Sequence, residues 1–95
     1  MPKKKKEKTA LEITRETILE ILYAHFKKEP TKPLAGITIE EESGIPYDEL
    51  KWNLEYLKSA RYISFEYIED YDYPLRPVKI TVKGIEFIEK IISAR

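Results

Sequence analysis

The chain contains no cysteine. Disulfides, thiolate nucleophiles and cysteine-ligated zinc are therefore excluded. Its one histidine, His25, has no second histidine or cysteine to share a metal, so it reads as an ordinary helix residue at the edge of a core. With three glycines in all there is no glycine-rich phosphate loop. Glu69, Asp70 and Asp72 are Mg²⁺-type ligands, yet adjacent loop acids are ordinarily solvated, and no nucleophile or base accompanies them. No catalytic residue, metal or cofactor is assigned, and the chain does not read as an enzyme. No apolar run approaches the roughly 20 residues of a membrane span. The start, MPKKKKEK, has no apolar segment behind it and is not a secretory signal, so a cytoplasmic location is expected. Glutamine is missing, and asparagine (Asn53) and methionine occur once each amid many Lys, Glu and Ile residues, a composition of thermophilic character.

What is present suits one globular domain: 95 residues, 42% hydrophobic and 36% charged. The net charge of zero conceals an asymmetry. Residues 1–8 carry five lysines against one glutamate, a balance of +4, while residues 9–95 carry twelve basic and sixteen acidic groups, a balance of −4. Residues 1–8 are expected to form a flexible basic tail, and Lys3, Lys4, Lys5 and Lys6 suit either a frayed solubilising terminus or an arm onto phosphates.

The chain is organised around TIEEESGIPYDELKWNLEYL, residues 38–57. Thr38 and Glu41 have the spacing of a capping box that starts a helix at Ile39, Gly44 stops it, and Pro46 suits the first turn of the next helix. In that second helix, running to about Arg61, Leu50, Leu54 and Leu57 fall at i, i+4 and i+7 and form one buried stripe. The pattern is a helix-turn-helix.

Before it, Thr9 or Thr14 caps a first helix whose apolar positions Ile18, Ile21, Leu22 and Phe26 keep the helical period. Leu19 and Tyr23 widen its apolar arc. Gly36-Ile37-Thr38 is a candidate short strand. After the helix-turn-helix the period changes to two: Ile63, Phe65 and Tyr67 predict one strand and Val78, Ile80 and Val82 another, joined by the proline-stiffened tip EDYDYPLRP. Thr81 caps a last helix in which Gly84 permits close packing and Ile85, Ile88, Ile91 and Ile92 recur at helical spacing, with Phe87 beside them.

This order, with the TIEEESGIP turn, the leucines of ELKWNLEYL leading into SARYISF, and the closing ITVKGIEFIEKI, resembles the winged helix-turn-helix domain of small archaeal and bacterial transcription regulators. The resemblance covers residues 11–94. It implies an α+β fold of helix, short strand, two helices, a two-stranded wing and a C-terminal helix, in one domain over residues 9–95. The function it implies is regulation of transcription by binding double-stranded DNA. The helix at about 47–61 would enter the major groove and the hairpin at about 62–82 would touch the backbone.

Stepping about 100° per residue from the leucine stripe, the groove face comprises Asp48, Lys51, Trp52, Glu55, Tyr56 and Ser59. One base and two acids flank two aromatics there, and Glu69, Asp70 and Asp72 would repel phosphates at the wing tip. Two readings follow. In one, Lys51, Trp52, Tyr56, Lys58, Arg61, Arg76 and Lys79, with Lys3 to Lys6 of the tail, contact DNA. In the other, Trp52 and Tyr56 dock a protein partner. Leu19, Tyr23, Phe87 and Ile91 exceed what one core requires, and the resemblance implies a homodimer through the terminal helices.

Overall fold

Thr9 settles the start of the first helix. Its hydroxyl accepts the Glu12 amide at 3.1 Å and the Glu12 carboxylate reaches back to the Thr9 amide, completing a capping box, while Thr14 turns its hydroxyl onto the Ala10 carbonyl at 2.9 Å. In the computed structural model, which describes residues 8–69 and 74–95, the elements follow in the order α1 (Ala10–Lys28), α2 (Gly36–Ser43), α3 (Tyr47–Ser59), β1 (Ile63–Phe65), β2 (Val78–Ile80) and α4 (Val82–Ser93).

The start of α2 differs from the sequence expectation. It begins at Gly36 with Ala35 as N-cap and no side-chain cap, so Thr38 lies within the first turn rather than before it. The reason is remote in sequence. Leu34 and Val78 exchange two backbone hydrogen bonds of 2.8 Å, which places the strand-like bridge at Leu34 instead of residues 36–38. Gly36 then passes so close to Leu75 that a Cβ would overlap it. Gly44 closes α2 at φ 70°, the left-handed cap expected of glycine, and the Pro46 carbonyl accepts the first hydrogen bond of α3 from Leu50.

The leucine stripe of α3 points inward: Leu50, Leu54 and Leu57 are at most 1% exposed. The helix ends at Ser59, short of Arg61, which adopts φ 67° and redirects the chain into β1. The hairpin pairs Ile63 with Ile80, Ser64 with Lys79 and Phe65 with Val78. Both strands are shorter than their alternation suggested. Pro77 offers Glu66 a carbonyl at 2.8 Å but has no amide to return, so regular pairing stops and Tyr67 is exposed. At the other end Thr81 accepts the Gly84 amide at 3.1 Å, and Val82, left exposed, becomes the first residue of α4.

Ile18, Leu19 and Leu22 meet Ile39, the three α3 leucines, Ile63, Val78, Ile80 and Ile88 in the core. Leu19 is therefore not surplus, and its assignment to a dimer surface is corrected. The broad apolar arc of α1 arises because this helix packs against α2, α3, α4 and β2 at once. Tyr23, Phe87 and Ile91 are half-buried against the same core. Among the described residues no helix is long and apolar enough to cross a membrane.

Candidate nucleic-acid interface

With the leucines committed to the interior, Asp48, Lys51, Trp52, Glu55, Tyr56 and Ser59 project outward and all are exposed. Trp52 is the extreme, at 77%. A tryptophan held on a rigid helix in water is a large apolar surface with no intramolecular use.

Three cations border a cleft between α3 and the hairpin. Lys51, Lys58 and Arg76 line it with Glu55, Phe65 and Leu75, around a volume of ≈ 190 Å³. Residues far apart in sequence meet here because Leu54 and Leu75 anchor the helix and the wing to one core. The Lys58 ammonium stands 5.4 Å from the Phe65 ring centroid, which aims it toward the wing. The ion pairs among the described residues, Lys8–Glu16, Lys32–Glu29 and Arg95–Glu20, lie elsewhere. Lys51, Lys58, Arg61, Arg76 and Lys79 take part in none of them.

The other expected contact residues are distributed differently. Arg61 is exposed at the turn after α3. Lys79, half-buried, borders a separate small hollow with His25, Phe26 and Lys32. His25 itself bonds the Lys32 carbonyl at 3.0 Å. Glu69 is exposed, whereas Asp70, Asp72 and the tail lysines Lys3 to Lys6 fall outside the described residues. Among the described residues no group of acids, histidines or cysteines is arranged to hold a metal ion.

Two residues of this region escaped the sequence reading. Arg15 of α1 donates through Nε to Asn53 Oδ1 at 3.2 Å, and its guanidinium covers the Tyr56 ring at 3.4 Å. Asn53, 2% exposed, returns its amide to the Glu49 carbonyl at 2.8 Å. The signal was available: Asn53 lies on the buried stripe between Leu50 and Leu54, where a polar side chain demands a partner from another element.

No protein-family model and no curated protein matches the chain. Solved structures do. A protein of Ralstonia eutropha designated DNA-binding superposes with a TM-score of 0.70 at 15% identity, covering 83% of this chain and 94% of that one. An Archaeoglobus fulgidus protein gives 0.68 at 14% identity over 87% and 85% of the two chains. MepR of S. aureus, solved as a complex with DNA, gives 0.68 at 21% identity over 84% of this chain and 60% of its own. Together with the helix-turn-helix and its hairpin wing, these likenesses establish the fold: the chain is a winged helix-turn-helix domain.

Proposed function

We propose that the protein binds double-stranded DNA as a transcription regulator, with α3 in the major groove and the hairpin along the adjoining backbone. The observation that carries this reading is the meeting of Lys51, Lys58 and Arg76 at the cleft between α3 and the wing, free of ion-pair partners among the described residues. Phosphates are the anions such a set suits. Arg61 extends the cationic edge, and Lys3 to Lys6 supply an arm. MepR, which has this fold, has been solved on DNA.

Trp52 and Tyr56 then face sugar or thymine methyl groups, which apolar side chains recognise in the major groove. Asp48 and Glu55 on the same face oppose phosphate, so affinity rests on few contacts. We place the protein in the cytoplasm as a homodimer joined through α1 and α4, with Tyr23, Phe87 and Ile91 at the seam and the two copies of α3 roughly 34 Å apart. Neither a cofactor nor catalysis belongs to this reading.

Fluorescence anisotropy with labelled duplexes at increasing salt tests it. Three phosphate contacts per protomer, six for the homodimer, correspond to a slope of log K against log salt of about −5, and deletion of residues 2–8 weakens binding further. Absence of binding to every duplex at low salt overturns the proposal.

A further inference from the structure

On the flank of α3 away from the wing is a second cavity, of ≈ 170 Å³. Its walls are aromatic and aliphatic: Tyr56 and Leu57 from α3, Tyr62 from the following turn, and Phe87 from α4, the last two stacked with centroids 4.6 Å apart. Glu16, the buried carboxylate among the described residues, opens into it. Burying a carboxylate against aromatic rings is unfavourable without a cation.

The chain supplies that cation from its own end. Lys8, just before the N-cap of α1, places its ammonium 2.7 Å from Glu16 Oε1. A second internal cation, Arg15, lies over the Tyr56 ring. Every group that meets a positive charge here is of the kind that recognises one: a carboxylate and the π-faces of rings. The Lys8 side chain is still 47% exposed and belongs to the residue preceding the helix cap, so releasing it costs little. Once it leaves, the remaining Glu12, Glu16 and Arg15 carry a net −1, and one incoming positive charge restores neutrality.

We propose that this cavity is a binding site for small organic cations, specifically primary ammonium groups on a short apolar or aryl body, with Glu16 as counter-ion and Lys8 as the intramolecular competitor. The ammonium takes the position of the Lys8 Nζ, and the body lies against Leu57, Tyr62 and Phe87. A single ring is the right size, since a cavity of about 150 Å³ accommodates benzene. The site shares Tyr56 with the proposed nucleic-acid face and Phe87 with the proposed dimer seam, but its cation-binding group, Glu16, belongs to neither.

The test titrates the full chain with 2-phenylethylammonium chloride, followed by calorimetry and by amide chemical shifts, with 2-phenylethanol as the uncharged control. Lys8→Ala removes the competitor and tightens binding by about tenfold, or 1.4 kcal/mol. Glu16→Gln, nearly isosteric and compatible with a helix, abolishes it, and the alcohol does not bind. Equal binding of the ammonium and the alcohol, an affinity unmoved by Lys8→Ala, or no detectable binding by Lys8→Ala at millimolar ligand each overturns the proposal. If Glu16→Gln fails to fold, the Lys8→Ala and alcohol comparisons decide.

Discussion

The guanidinium of Arg15 lies 3.4 Å above the ring of Tyr56 while its Nε donates to the buried side chain of Asn53. One residue of α1 thus holds both an inward and an outward side chain of α3. Arg15→Ala leaves the Asn53 carbonyl oxygen buried without its donor, and a loss of about 1–3 kcal/mol follows. Because the two side chains share one hydrogen bond, the losses for Arg15→Ala and Asn53→Ala will not add. A double-mutant cycle measured by urea unfolding checks this, and strict additivity would remove the coupling.

Gly84 and Gly44 are glycine for opposite reasons, and substitution separates them. At Gly84 a Cβ would strike the Tyr62 carbonyl, a backbone atom that cannot swing aside. Gly84→Ala therefore costs about 2 kcal/mol or more, in spite of alanine's better helix propensity. Around Gly44 there is open space, and only its φ of 70° resists a side chain. Gly44→Ala costs about 1 kcal/mol, and Gly44→Asn less, since asparagine tolerates that region. Equal destabilisation by the two alanines in chemical denaturation would contradict this account.

Tyr23 links α1 to α4 by donating its hydroxyl to Glu89 Oε2 at 2.8 Å, and that hydrogen bond, before the smaller effects of burial and the nearby carboxylate charge, raises the phenol pKa above its ordinary value. A raised value means that the folded protein holds this proton more tightly than the unfolded chain. The contribution to stability is therefore complete below about pH 10, the unfolded value, and disappears as pH rises through the folded one. Tyr23→Phe should melt below the wild type at neutral pH, and the gap should close in strongly alkaline buffer. A gap that persists there would assign the effect to packing.

Much of this architecture is written locally, in residues whose roles depend on near neighbours. Thr9 with Glu12, Gly44, Thr81 and the leucines at 50, 54 and 57 act within one or two helical turns, and each does in the structure what its spacing implies. The departures arise where a distant segment intervenes. Thr38 has the spacing of a cap, but the backbone bridge from Leu34 to Val78 starts the helix three residues earlier than Ile39. Leu19 looks superfluous only if α1 has one neighbour, and it has four. Arg15 and Asn53 are 38 residues apart, beyond any periodicity. The cleft was legible in part: Lys51, Lys58 and Arg76 were identifiable as cations, but the separation of Arg76 from Lys79 depends on which side of the wing each faces.

That separation yields the sharpest test of the DNA reading. Counterion release makes each lost phosphate contact visible as a decrease of about 0.9 in the magnitude of the salt slope. Lys51→Ala, Lys58→Ala and Arg76→Ala should each flatten the slope by about twice that amount, since both protomers of the homodimer lose the contact. Lys79→Ala, on the separate hollow, should leave it near the wild-type value. Trp52→Ala removes no charge, so it should weaken binding at every salt concentration without changing the slope, and chiefly for thymine-containing sites if it packs on methyl groups. Should Lys79→Ala flatten the slope while the three cleft variants do not, the duplex lies on the opposite side of the hairpin from α3, and the recognition role of Trp52 fails with it.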